Sequence, residues 1–135
     1  MDKTFYVGIV ERGASGGYGV YFPDLPGCVA VAESYAEVLR DAELALELHV
    51  LGMIEDGEAL PIPTPVSAIP LDPDIVEEGR LLVGVVAAPP KVRVNVMLEP
   101  GVLKAIDMVS DNRSRFLNQA AKAKLREELA DATAG

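Results

Sequence analysis

The sequence predicts a mixed α/β (α+β) fold in two parts: a β-β-β-α-β domain over residues 1–88 and a β-α-α module over residues 89–135. Three observations predict it. Short runs rich in β-branched and aromatic residues alternate with Gly- and Pro-rich turns in the first part, as strands do. One long amphipathic helix with a capping signal follows them. In the tail, the apolar period changes from two residues to 3.6 within a few positions, which indicates a strand followed by helices.

Three strands open the N-terminal domain. Residues 4–11 and 18–22 are apolar runs separated by a Gly-rich segment, which predicts a hairpin. Residues 23–27, with the sequence PDLPG, have the chemistry of a turn and lead into a short third strand over residues 28–32. A continuous apolar run over residues 81–87 predicts a buried fourth strand, and five prolines make residues 61–73 a stiff extended connector.

A helix is predicted from Ser34 to about Met53, because Ser34 and Glu37 have the spacing of a capping box. The face expected to cover the sheet consists of Val38, Ala42, Ala45, Leu46, His49 and Met53. A second stripe lies nearly opposite and consists of Leu44, Leu48 and Leu51. Three leucines in line predict either a protein interface or a second buried side, and the Pro-rich connector is the alternative cover.

The tail begins with strict alternation. Of residues 91–98, one face carries Val92, Val94, Val96 and Leu98, and the other carries Lys91, Arg93, Asn95 and Met97. Pro100 fits the first turn of a helix. Asp111 and Asn112 end that helix, with Asn112 suited to a left-handed C′ position, and Ser114 is expected to cap a second helix.

A strand followed by two helices has no partner for its backbone groups, so a second copy is expected to pair with it about a two-fold axis. The resulting homodimer buries the valine face and points Arg93, Asn95 and Met97 outward as a two-stranded ribbon, which fits the DNA major groove. The N-terminus of the second helix, with Arg113, Ser114 and Arg115, is expected to hold a phosphate. Whether dimers assemble further through the N-terminal sheets stays open.

Charge divides the chain in the same place. Residues 1–90 carry 4 Lys/Arg and 15 Asp/Glu, whereas residues 91–135 carry 8 Lys/Arg and 6 Asp/Glu. An acidic body joined to a mildly basic tail indicates two partners of opposite charge, a basic protein and nucleic acid. The single cysteine and the lack of a signal-peptide pattern or a membrane-length apolar run predict a cytoplasmic protein.

These motifs resemble a known family. Residues 91–129 resemble the ribbon-helix-helix repressors, through NRSRFLNQAA (112–121). Residues 5–70 resemble the HicB antitoxin domain, through GGYGVYFPDLPGC (16–28), a capped helix and GEALPIPTP (57–65). The resemblance implies a partly RNase H-like domain that blocks a small basic ribonuclease toxin, HicA, and a C-terminal module that represses the operon. The residues at 98–101 depart from the family, which more often has proline directly after the leucine.

Two other functions stay open on the residues alone. One is a stand-alone repressor whose N-terminal domain senses a ligand or only oligomerises. The other is a metal-dependent nuclease, but the first strand lacks an acid in its interior, Asp24 is expected in an Asx-type turn, and Glu43 and Glu47 are expected in solvent. His49 and Cys28 are expected to be packed side chains. No phosphate-loop or zinc-ligand spacing is present, so neither an enzyme nor a cofactor is expected.

Overall fold

A computed structural model of the protein describes residues 2–87 and 91–134, with side chains as far as Leu129. Four strands form one antiparallel sheet in the order β3-β2-β1-β4: β1 (Thr4–Arg12), β2 (Tyr18–Tyr21), β3 (Val29–Ala32) and β4 (Val76–Val85). Helix α1 (Tyr35–Glu55) covers one face of the sheet, and helices α2 (Pro100–Val109) and α3 (Arg113–Ala134) form the tail. The β-β-β-α-β order predicted for the N-terminal domain is therefore present, and the whole is a mixed α+β fold.

The two predicted turns close as their glycines require. In the β1–β2 hairpin, the Gly13 amide donates to the Gly17 carbonyl at 2.8 Å, and Gly16 has φ 94°. In the turn before β3, Gly27 has φ 89°, a conformation that side-chain-bearing residues rarely adopt. Ile9 and Tyr21 pair across the first hairpin, which sets the register that buries Tyr6 and Val10 against α1.

Strand β4 starts earlier and ends earlier than the predicted range of 81–87. Its first residues have the sequence VEEGR, in which three charged side chains hide the strand pattern. They pair with the end of β1, across a register shift between Val10 and Glu11. Arg80 is held there by Glu77 at 2.9 Å and donates to the Ile69 carbonyl at 2.7 Å, so the strand start is tied to the connector.

Helix α1 begins where the capping signal predicts, since the Ser34 hydroxyl accepts a bond from the Glu37 amide at 3.2 Å. It ends at Glu55, before Gly57 with φ 73°. The core between α1 and the sheet contains Tyr6, Val10, Val20, Phe22, Leu25, Cys28, Ala30, Val38, Ala42, Ala45, Leu46, Val50, Val83 and Val85. The prediction that His49 packs within this core is wrong: Val50 is in the core, and His49 lies half-buried at its border.

The Pro-rich connector is bonded to the domain. The Tyr6 hydroxyl donates to the Pro61 carbonyl at 2.8 Å. The Asp24 carboxylate accepts one bond from the Thr64 amide at 2.8 Å and another from the Thr64 hydroxyl at 2.6 Å. The predicted Asx-type turn role of Asp24 is therefore wrong, because its bonds reach the connector rather than its own turn. A single 3-10 turn, Val66–Ala68, interrupts the connector.

The junction between the tail helices also differs from the prediction. The Asn112 side chain accepts a bond from the Arg115 amide at 2.9 Å, so Asn112 is the N-cap of α3 and Ser114 lies in the first turn. No non-glycine residue of the described ranges has a positive φ, so the left-handed conformation predicted for Asn112 is wrong. The predicted domain boundary at residues 88–90 lies outside the described residues.

Candidate nucleic-acid interface and partner surface

Residues 91–98, hereafter the ribbon segment, do not form the predicted strand in the single chain, and their side chains are exposed apart from the half-buried Leu98. Within the described ranges of the single chain, no strand pairs with this segment. Val92, Val94 and Val96 are 82%, 73% and 61% exposed, and Met97 is fully exposed. Lys91, Arg93 and Asn95 are exposed as well. Exposure of a row of β-branched side chains is unfavourable, because burial of each valine would contribute roughly 1.5 kcal/mol of stability.

The two tail helices bury little between them. Among the side chains described in residues 91–129, Ile106 alone is fully buried. Val102, Met108 and Val109 are exposed, and Phe116 and Leu117 are half-buried. An open groove of about 610 Å³ lies between the helices, where Met108, Val109 and Phe116 line its wall. Two helices with so small a core between them gain little stability from their own packing.

The N-terminus of α3 carries the residues predicted to hold a phosphate, but its two arginines already have partners. Arg113 makes a two-pronged ion pair with Asp107, with distances of 2.8 and 2.7 Å. Arg113 donates hydrogen bonds to the Asp107 carboxylate, which lowers the pKa of Asp107 below its usual value. Arg115 lies 3.7 Å from Asp111. Both pairs are exposed, so each ion pair contributes little to stability. Asp107 could not be predicted from the sequence, because its separation of six residues from Arg113 crosses the junction between two helices.

The predicted leucine stripe, Leu44, Leu48 and Leu51, is split by the structure. Leu44 is 41% exposed, Leu51 is half-buried, and Leu48 is only 6% exposed. Leu48 does not belong to the core between α1 and the sheet. It lines a small cavity of about 220 Å³ together with Arg126 and Leu129 of α3. The second cover of α1 at Leu48 is thus α3, not the Pro-rich connector that the sequence offered as the alternative.

His49 lies at the same α1–α3 border. It lines the cavity beside Leu48. It also lines a second cavity of about 460 Å³, whose wall includes Asp24, Asp56 and Glu58. Burial lowers the pKa of the imidazole, Arg126 lowers it further, and Glu58 opposes them. A neutral imidazole is therefore favoured beside the Arg126 guanidinium.

The other side chains considered for catalysis or metal binding do not form a reactive site. Cys28 is buried, and burial raises the pKa of its thiol to about 12, which keeps it protonated and unreactive. Glu43 and Glu47 are exposed, as predicted. In the described ranges, no three His, Cys, Asp or Glu side chains cluster so as to hold a metal ion. Of the helices that are described, none has the length and apolarity to cross a membrane.

Comparison with known proteins places these features in a family. The model of the HicB_like antitoxin of bacterial toxin–antitoxin systems matches residues 6–121, a range that includes nearly all of the sheet, α1, α2 and the first part of α3. The chain belongs to the HicB-like antitoxin family. A relative from Haemophilus phage HP1, described as an uncharacterized 14.9 kDa protein in the rep–hol intergenic region, is 30% identical over 118 residues, 81% of this chain and 89% of the phage protein.

A solved structure agrees with this membership. The crystal structure of the antitoxin HicB of Burkholderia pseudomallei matches with a TM-score of 0.50 and 28% identity, over 93% of this chain and 99% of that one. A chain of a toxin–antitoxin complex from Streptococcus pneumoniae matches with a TM-score of 0.53 and 19% identity, over 91% of this chain and 99% of that one. The second likeness concerns the fold alone.

Proposed function

We propose that this HicB-like antitoxin neutralises a small basic ribonuclease toxin similar to HicA and, as a dimer joined through the ribbon segment, represses its own operon by binding operator DNA. The DNA-binding half of this proposal rests on the exposed valine face of residues 91–98. Two helices with almost no core of their own follow this face directly. Family membership and the acidic N-terminal domain carry the toxin-binding half.

Dimerisation supplies what the single chain lacks. An antiparallel pair of ribbon segments satisfies the unpaired backbone groups and buries Val92, Val94 and Val96 of both copies. The exposed Met108 and Val109 lie beside the groove between α2 and α3, where the second copy would cover them. Burial of several apolar side chains from each chain offsets the cost of association.

The same pairing creates a DNA-binding surface. Arg93, Asn95 and Met97 of two chains then form one outward row, in which arginine suits guanine, asparagine suits adenine and methionine can contact a thymine methyl. Lys91, Arg113, Ser114 and Arg115 supply contacts to the phosphate backbone, which position the ribbon without reading sequence. Asp107 and Asp111 keep the two arginines oriented until phosphate replaces them.

The toxin-binding half follows from charge and family. An excess of eleven acidic groups in residues 1–90 attracts a basic protein and speeds its association. The exposed Leu44 and the half-buried Leu51 offer apolar contact on α1 beside the exposed Glu43 and Glu47. Co-purification of this chain with the product of the adjacent gene tests this half, and a small basic ribonuclease is the expected companion.

The DNA-binding half has a direct test with a matched control. The double variant Arg93→Ala/Asn95→Ala is expected to lose sequence-specific binding to the upstream DNA, since each good bidentate pair is worth about 1–3 kcal/mol of discrimination. Lys124→Ala is the control, because Lys124 pairs with Glu127 and Glu128 within α3 and is not one of the predicted DNA contacts. Gel-shift titrations at one salt concentration measure both. Unchanged affinity and specificity in the double variant contradict the ribbon assignment.

A further inference from the structure

Helix α3 has 22 residues against 10 in α2, and its part from Lys122 onward, hereafter the second half of α3, lies on the N-terminal domain. It contacts both α1 and β3. Lys122, Arg126 and Leu129 are spaced four and three residues apart, so they share one face of α3. That face meets the side of α1 that carries Leu48 and Gly52, both of which are buried.

Arg126 is the centre of this contact. Its guanidinium lies so close to Gly52 that a Cβ added there would meet Arg126 Cζ at 2.9 Å. Arg126 also donates a long bond of 3.5 Å to the Leu48 carbonyl. Glycine inside a helix costs about 1 kcal/mol relative to alanine, and at position 52 its missing side chain makes room for the arginine.

An ion pair reinforces the contact at the end of α1. Lys122 of α3 bonds Glu55, and both side chains are largely shielded from solvent. Further along α3, Arg126 and Leu129 close the cavity over Leu48 and His49. The buried Leu48, the glycine that admits Arg126 and the shielded ion pair therefore belong to one continuous contact between the tail and the N-terminal domain.

We propose that the second half of α3 is a displaceable intramolecular clasp, which occupies the Leu48 side of α1 and competes with the toxin for it. The competition rests on the proposed function; the clasp itself does not. Because α3 also carries the predicted phosphate-binding end, its release from α1 frees the tail to change its orientation. Toxin binding at the leucine stripe and the orientation of the DNA-binding module then depend on the same helix.

Charge reversal tests the clasp without any partner. Glu55→Lys and Lys122→Glu each place like charges at the contact, whereas the double variant restores an ion pair with the opposite polarity. In the full-length protein, amide hydrogen exchange over residues 122–129 is expected to rise about tenfold in each single variant and to return towards the wild-type rate in the double variant. Lys124→Ala on an exposed face of α3 is the control. Equal exchange in all four variants and the wild type overturns the clasp.

Arg126→Ala and Gly52→Ala give a second test, in which the expected effect is a gain in thermal stability. In the Arg126→Ala background, Gly52→Ala is expected to raise the melting temperature by about 4 °C, because alanine is the better helix former. In the wild-type background, the gain is expected to disappear, since the new methyl group displaces the guanidinium. The same gain in both backgrounds overturns the assignment of Gly52.

The competition is tested with the purified toxin. A variant whose clasp is open leaves α1 free more often, so its affinity for the toxin is expected to exceed that of the wild type by about tenfold. Arg126→Ala serves for this arm, with Lys124→Ala as its control. Equal affinities overturn the competition. Absence of toxin binding by any variant overturns the toxin-binding half of the proposed function together with the competition, while hydrogen exchange still decides the clasp.

Discussion

At the scale of single residues, the N-terminal domain depends on polar groups whose partners lie far along the chain. Asp24 bonds Thr64 across 40 positions, and the Tyr6 hydroxyl bonds the Pro61 carbonyl. Arg126 beside His49 is a further example, because it brings the tail to the only histidine of the chain. Such contacts give individual residues effects that their neighbours in the sequence do not suggest.

His49 predicts how stability depends on pH. Its pKa is lowered in the folded protein, so the unfolded chain binds a proton first as the pH falls through the ordinary histidine value of about 6.5. The free energy of unfolding is therefore expected to be constant above that value and to decrease as the pH falls below it. Urea titrations between pH 7.5 and 5.5 measure the decrease, and His49→Gln is expected to abolish it. A decrease of equal size in that variant contradicts the assignment to His49.

Arg113 predicts a salt effect. If it exchanges Asp107 for a phosphate, Arg113→Ala weakens binding to all DNA sequences about equally and lowers the slope of log affinity against log salt by about one. Lys124→Ala is expected to leave the slope unchanged. Binding isotherms at several salt concentrations give both slopes, and a loss confined to the operator sequence contradicts a phosphate contact.

At the scale of elements, capping groups determine where the helices start. Ser34 begins α1, and Asn112 begins α3 two residues after the extended Ser110 that ends α2. The Ser110 hydroxyl accepts a bond from the Asn112 amide at 3.1 Å, which ties the start of α3 to the end of α2. The position of Arg113 and Arg115 at the end of α3 therefore depends on this short junction.

Asn112→Ala removes the cap of α3. The expected loss is about 1 kcal/mol in the free energy of unfolding, because the Arg115 amide loses its acceptor. Chemical denaturation of the full-length protein measures it. Asn118→Ala is the matched control, since Asn118 bonds only the Ser114 carbonyl within the same helix. Equal losses in the two variants contradict a capping role for Asn112.

At the scale of the whole molecule, the two parts of the chain differ in how complete they are. The N-terminal domain has a continuous core between four strands and α1. The tail has one fully buried side chain among those described, Ile106, together with an unpaired and exposed ribbon segment. We therefore expect the tail to complete its core with a second copy.

Val94→Asp separates dimerisation from DNA contact. A carboxylate at the centre of the paired valine faces is expected to make the protein monomeric at micromolar concentration, because burial of a charge without a partner is strongly unfavourable. Asn95→Asp, one position along on the opposite face, is expected to leave the dimer intact and to lose operator binding. Light scattering after gel filtration measures the mass, and a dimeric Val94→Asp protein contradicts the ribbon.

The sequence by itself determined the elements whose signals are local. Strands β1 to β3, the capped α1 and the break between α2 and α3 follow from alternation, capping residues and turn residues, which act within a few positions. Tertiary structure alone decided the start of β4 at Val76, the bonds of Asp24, the ion pair of Arg113 with Asp107 and the cover of Leu48 by α3. Each of these joins residues from different elements, so its energy depends on how the elements pack. No periodicity or local motif in the chain encodes that arrangement.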